Sequence, residues 1–310
     1  MRPIFIAITL LLASGVSGKD VTVPADGSEA TRSVAQAFLR RLFVEHDVDG
    51  AYADYAQPDF IQHNPNMADG LAGHHAYFDS CPKQANGGPA AWANVNNMLL
   101  VDGDLFALHH HVFTGPRDPG RVFVDIFRVQ NGKIAEHWDV IQPIPAHMAH
   151  HNGMACGKGG DYASARASAD TLARPTCGAP DPAARRKASL AVIDAYTKQL
   201  KSGDARGAIL RWFSPDYRQH SPAIADGIQG AIDYLEHEFG NGAAAAPKAG
   251  PSRIIADGDF VLFHRLVTYA GASRPSSNVD IFRVTHGRIS EHWDVKQPVP
   301  EHAMNKHGMW

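Results

Sequence analysis

Histidine and aspartate recur in this chain at spacings that bring proton-transfer chemistry within reach. Gln62-His63-Asn64-Pro65 returns as Gln219-His220-Ser221-Pro222, Asp125-Ile126-Phe127-Arg128 as Asp280-Ile281-Phe282-Arg283, and Glu136-His137-Trp138-Asp139 as Glu291-His292-Trp293-Asp294. An imidazole serves as base, acid or metal ligand near neutral pH. A carboxylic acid kept neutral donates a hydrogen bond to a developing enolate oxygen. Taking a proton from beside a carbonyl group needs both.

Two other readings fit the same residues. One is a buried polar network in which His137 and Asp139 satisfy one another. The other is a transition-metal set of His63, His109, His137 and Asp139. No short ligand spacing supports the metal set, so neither a metal nor another cofactor is assigned. The chain has 18 histidines among 310 residues, and of the His109-His110-His111 run only His109 is placed near a site. His110, His111, His147, His150 and His151 read as mostly surface residues.

The strands that must position these groups follow from side-chain alternation, because successive residues on a strand point to opposite faces. On the last strand of the first copy His137 and Asp139 face together, and Glu136 and Trp138 face the other way, toward packing. On the preceding strand Phe123, Asp125 and Phe127 share a face. A carboxylate between two phenylalanines on a core-facing edge is costly unless it is paired, so Asp125 is either satisfied by a donor or kept for chemistry.

The whole unit is duplicated. The Gln-His block repeats at an offset of 157 and the later blocks at 155, and between 124–145 and 279–300 the two copies agree at 16 of 22 positions. Each copy opens with an amphipathic helix, carried by Ala35, Phe38, Leu39 and Leu42 in the first and by Leu190, Ile193 and Leu200 in the second. Short helices follow near 51–56 and 73–78. β-rich runs at 98–101, 105–114, 121–129 and 133–141 are separated by turns such as Asp102-Gly103 and Asn131-Gly132. Helices first and a meander afterwards mean an α+β fold.

Residues 152–186 are rich in Gly, Ala, Ser and Pro and read as a flexible linker between domains at 30–151 and 187–310. Residues 1–18 carry a charge, an apolar run too short to span a bilayer and small residues after it, the pattern of a signal peptide, so a periplasmic or secreted location is expected. Three cysteines suit that compartment. Cys156 and Cys177 are expected to pair, with Cys81 left over. A formal net charge of -3 offers no field able to hold nucleic acid.

The quoted motifs, with Gly132-Lys133-Ile134-Ala135 before the Glu-His-Trp-Asp run and the tails Gln142-Pro143-Ile144-Pro145 and Gln297-Pro298-Val299-Pro300, resemble the SnoaL-like polyketide cyclase family. That family belongs to the NTF2-like superfamily, and the resemblance covers both repeats, nearest to the branch described as aldol-condensation enzymes. It implies two cone-shaped domains, each a curved antiparallel sheet wrapped around about three helices. It implies catalytic roles for His63 as base, Asp125 as the acid bonded to an enolate oxygen, and His137 and Asp139 on the last strand, with His220, Asp280, His292 and Asp294 as their counterparts. His109, Phe123, Phe127, Tyr77 and His264 would contact a small carbonyl-containing or aromatic substrate. The resemblance also implies that the two copies form an intramolecular pseudo-dimer in a monomeric chain, with no membrane partner once the leader is removed.

Overall fold

The computed structural model describes residues 27–80, 92–156, 161–167, 172–240 and 247–310. The leader at 1–18 and Cys81 lie outside the described residues. No helix among the described residues is long and apolar enough to cross a membrane.

In the first half, α1 (Gly27–Leu39) buries Thr31, Ala35, Phe38 and Leu39, the stripe expected of a helix with one apolar face. It runs into a wider turn at Arg40–Val44. The next helix, α2 (Val48–Tyr55), starts where the Asp47 carboxylate accepts a hydrogen bond from Gly50 N at 3.0 Å, a side-chain cap on an otherwise orphaned amide. Then follow β1 (Ala56–Gln62), α3 (Gly70–Ser80), β2 (Ala93–Asp102), β3 (Leu105–Phe113), β4 (Arg121–Gln130) and β5 (Lys133–Pro143). The sheet order is β1-β5-β4-β3-β2.

The sheet is mixed rather than wholly antiparallel, because β1 pairs parallel with β5. An intervening helix and three strands provide the long crossover that a parallel pair requires. That pairing sets Gln62 beside His137 and Ile61 beside Glu136.

After α4 (Tyr162–Ala167), the second half repeats the plan with α5 (Arg186–Lys201), α6 (Ala205–Trp212), β6 (Phe213–Gln219) and α7 (Gly227–Gly240). It continues with β7 (Lys248–Ala249), β8 (Arg253–Asp257), β9 (Phe260–Thr268), β10 (Ser276–Thr285) and β11 (Arg288–Pro298). Asp204 caps α6 through Gly207 N as Asp47 caps α2. β7 and β8 both pair with β9, where the first half has the single strand β2. Pro251 lies in the break, and a proline has no N–H to give a ladder.

Each sheet turns one face to its own helices. Phe38, Phe106 and Phe127 belong to that core in the first half, and Ile193, Tyr196 and Phe282 in the second. The opposite faces meet: Met98, Leu100, Val124, Trp138 and Val140 form one buried cluster with Leu262, Val279, Trp293 and Val295. Polar contacts across it are reciprocal. Ile141 N donates to Gln297 Oε1 at 2.7 Å and Lys296 N to Gln142 Oε1 at 2.8 Å. Val101 N donates to Asp257 Oδ2 at 2.8 Å and Ala256 N to Asp102 Oδ2 at 3.0 Å.

The stretch expected to be a free spacer is tied down. Cys156 and Cys177 form a disulfide with Cα atoms 5.0 Å apart. Cys177 N donates to Asn97 O at 2.9 Å, fastening the segment to β2. Met154, Ala155 and Cys177 sit in the cluster between the sheets.

Trp138 is 2% exposed at the middle of that cluster, with the Arg253 guanidinium 3.7 Å above its ring. Trp138→Ala is expected to lower the unfolding free energy by about 3 to 5 kcal/mol in a denaturant melt. A loss of less than about 1 kcal/mol would show that the faces are not packed as described.

Candidate functional site

The inward face of the first sheet gathers side chains from all five strands, the loop after β1 and two helices. β4 supplies Asp125 and β5 supplies His137 and Asp139; one donor atom from each of the three lies within 4.8 Å of the others. β3 contributes His110, whose Nε2 donates to Asp125 Oδ2 at 2.5 Å while its Nδ1 faces Asn94 Oδ1. His137 Nε2 donates to the other oxygen, Asp125 Oδ1, at 3.1 Å, and its Nδ1 donates to Gln62 Oε1 at 2.9 Å. Asn64 Nδ2, from the loop after β1, donates to Asp139 Oδ2. Tyr52 on α2 and His74 on α3 are buried on the helix side of this cluster, their rings in contact. Phe127 stacks on His137 with ring centroids 4.4 Å apart, and Phe123 stands beside His110 at 5.3 Å. Tyr77 is half-buried on α3, edge-on to Phe78.

The two carboxyl groups sit in opposite electrostatic states. Burial alone would push Asp125 up, but the His110 charge and the hydrogen bonds from His110 and His137 outweigh it and hold the carboxyl well below the usual range. Asp139 is 3% exposed, and its Oδ1 has no hydrogen-bond partner. Burial, with the Asp125 charge adding to it against His137 and Asn64, pushes Asp139 up to about 7. The group suited to carry a proton near neutral pH is therefore Asp139, and the expectation that Asp125 is the protonated acid is corrected. Tyr52 is held well above its ordinary range, first by burial and then by the Asp125 and Asp139 charges, so it keeps its O–H. Burial brings His74 down to about 3, and both of its ring nitrogens lack a partner.

The expected base is not in this cavity. His63 follows Gln62 by one residue on an extended segment, so it points to the opposite face. There it stacks on Trp138 at 4.8 Å, with Nε2 2.8 Å from Glu136 Oε1. Burial lowers it to about 4. His220 repeats this, stacked on Trp293 at 4.6 Å and 3.3 Å from Glu291 Oε2. His109 and His264 are also on the face between the sheets, each brought down by burial to about 3. Asn97 Nδ2 donates to His109 at 3.1 Å, and Arg253 Nη1 to His264 at 2.8 Å. The metal set of His63, His109, His137 and Asp139 is thus split between two faces of one sheet. His110, expected at the surface, is 2% exposed.

The second half builds its cavity from the same positions with different charges. A cavity of about 150 Å³ is lined by Tyr217, Asn278, Asp280, Asp294, Arg265 and Lys296, among others. Arg265, at the position of His110, pairs with Asp280; His292 Nε2 donates to Asp280 Oδ1 at 3.2 Å and Nδ1 to Gln219 Oε1 at 3.0 Å. Burial works against the ionised Asp280 carboxylate, but Arg265 and His292 hold it below the usual range. Lys296, which replaces Ile141, places Nζ 2.8 Å from Asp294 Oδ2. Each carboxylate here has a cation against it, whereas Asp139 has none.

The SnoaL-like domain family matches residues 35–137 and again residues 192–292. The chain belongs to that family. Among solved structures, an NTF-2 like protein of unknown function from Burkholderia xenovorans LB400 is 18% identical, with a TM-score of 0.31, over 38% of this chain and 88% of its own. TsrD from Streptomyces laurentii is 18% identical at a TM-score of 0.30 over 36% and 90%, and IdmH from Streptomyces antibioticus 20% identical at 0.27 over 35% and 91%. No curated protein matches the chain.

Gln62, Asn64, His110, Tyr52 and His74 were not singled out by type and spacing. Counting one residue either side of His63 along the strand finds the first two, and counting inward positions from Phe106 through Leu108 finds His110. For Tyr52 and His74 no such signal exists.

Because folding raises Asp139 above its ordinary 3.8, its stabilising contribution is complete below that value and is lost as pH rises through about 7. Asp139→Asn removes the ionisation but keeps an oxygen for Asn64. The variant should gain on the parent, by on the order of a few kcal/mol, as pH is raised from about 4 to about 8. Urea melts at several pH values would show it, and parallel curves for the two proteins would contradict the assignment.

Proposed function

We propose that the first domain binds a small carbonyl-containing or aromatic molecule in its cone and catalyses acid/base chemistry on it: isomerisation, aldol-type condensation or cyclisation. Family membership supports small-molecule binding or catalysis in general terms. The observation that carries the finer reading is Asp139, a buried carboxyl with one free oxygen and a pKa pushed up to about 7. A general base works best when its pKa lies near the working pH.

In this mechanism Asp139 takes a proton from the carbon beside the carbonyl and returns it at a second position. The Tyr52 O–H donates to the oxygen on which charge develops, since it stays protonated beside two carboxyl groups. Asp125, held ionised by His110 and His137, fixes the His137 ring. Phe123 and Phe127 supply the apolar wall.

A second reading applies to the second domain. With Arg265 on Asp280 and Lys296 on Asp294, both carboxylates of its cavity are ion-paired, and it fits a non-catalytic binding pocket. The apolar run at the N-terminus and the Cys156–Cys177 bridge support export to an oxidising compartment. Reciprocal hydrogen bonds between the sheets support a pseudo-dimer closed within one monomeric chain.

Thermal stabilisation against a panel of aromatic and β-dicarbonyl compounds identifies ligands, and turnover is then followed against pH. Turnover should rise as pH increases through about 7 and should fall by about 100-fold or more in Asp139→Asn with ligand binding retained. Lys296→Met should leave it largely unchanged. Full turnover in Asp139→Asn would overturn the assignment.

A further inference from the structure

The loop that presents Gln62 and Asn64 to the first cavity is held from the far end of the chain. Within its own domain, His63 N donates to His137 O at 2.9 Å and Gln62 N to Asp69 Oδ1 at 3.0 Å. Inside the loop Asn64 N donates to Gln62 Oε1 at 2.8 Å, Asn66 N to Asn64 Oδ1 at 2.8 Å and Met67 N to Asn64 O at 3.1 Å. Further ties come from the tail that follows β11. Met304 N donates to Pro65 O at 2.8 Å, and His63 Nδ1 donates to Gly308 O at 2.7 Å. Asn305 Nδ2 donates to both Asn64 O, at 2.6 Å, and Met67 O, at 3.0 Å. Asn305 is 9% exposed; if it were truncated, Met67 O would lose this partner and Asn64 O would keep Met67 N, at 3.1 Å.

The exchange is reciprocal. In the other direction Ala149 N donates to Pro222 O at 2.8 Å, His150 Nε2 to Ser221 O at 2.7 Å, Asn152 Nδ2 to Gln219 O at 3.0 Å and His220 Nδ1 to Gly153 O at 2.9 Å. Yet the consequence differs. Ser221 stands where Asn64 does, its hydroxyl is unpartnered, and Asp294 is held by Lys296 instead. In the first domain the contacts run from the tail through the Asn64 backbone and amide directly to Asp139, whereas the Ser221 hydroxyl makes no such bond in the second. This also accounts for the repeated Gln-His pair: the histidine receives the neighbour's tail while the glutamine serves the cavity.

We propose that Asn305 is a positioning residue for the first domain's site, acting from the second domain: it fixes the backbone of Asn64 so that the Asn64 amide reaches Asp139. One working cavity therefore needs both halves of the chain. Its catalytic consequence rests on Asp139 as the proton carrier, but the geometric relay does not.

The test is a titration of side-chain carboxyl carbons by NMR in the full chain. Besides Asn64, the polar groups around Asp139 are Asp125 on β4, His137 on β5, His110 on β3, Tyr52 on α2 and His74 on α3, and an Asn305 variant alters none of them. A hydrogen bond to the ionised form lowers a carboxyl pKa, so its loss raises it. Asn305→Ala should move the Asp139 midpoint up by about one pH unit, Asn64→Ala should match it, and the double variant should add nothing further. Lys306→Ala, an exposed change in the same tail, should leave it in place. Asn305→Gln, which keeps the amide one methylene away, should give a smaller shift in the same direction and serves if the alanine variant does not fold.

An unmoved midpoint in Asn305→Ala beside a raised one in Asn64→Ala would overturn the relay and leave the site reading intact. An ordinary midpoint in the parent that Asn305→Ala still raises would support the relay and remove Asp139 as proton carrier.

Discussion

The packing of two sheets through their outer faces is the constraint on which everything else rests. Trp138 and Trp293 must be buried between the sheets, and strand alternation then sends His137, Asp139, His292 and Asp294 inward, where Phe127 and Phe282 stack on the two histidines. Each domain has to pay for those buried polar groups with hydrogen bonds and counter-charges. The same packing brings each tail onto the other domain's Gln-His loop, so that interface and cavity are mechanically one structure.

The two copies meet the inward requirement differently, and the difference is a matter of two positions. In the second domain Arg265 and Lys296 set a cation against each carboxylate. In the first, two histidines both serve Asp125, and Asp139 is left with a single amide. One carboxyl oxygen lacks a hydrogen-bond partner in each copy, Asp139 Oδ1 and Asp294 Oδ1, so what separates the copies is the Lys296 ammonium beside Asp294.

Much of this was legible in the residues. The repeat, the two faces of β4 and β5, the packing of the tryptophans and the Cys156–Cys177 pairing all follow from local pattern. The errors arose where a pattern had to be carried across elements. His63 looks catalytic by its type, but parallel pairing of β1 with β5 sets Gln62 opposite His137, which turns the histidine to the interface. Among His109, His110 and His111, the inward member is decided by register with Asp125, and three identical residues in a row conceal it. Which aspartate holds a proton depends on counting partners, and two of those partners are His110 and an amide from the Asn64 loop. The attachment of Thr176 and Cys177 depends on hydrogen bonds to β2 that composition does not encode.

Neutron diffraction from crystals grown in heavy water near pH 6 would address the central claim directly. The account predicts deuterium on the Asp139 carboxyl and none on Asp125. Deuterium on Asp125 with a bare Asp139 would contradict it.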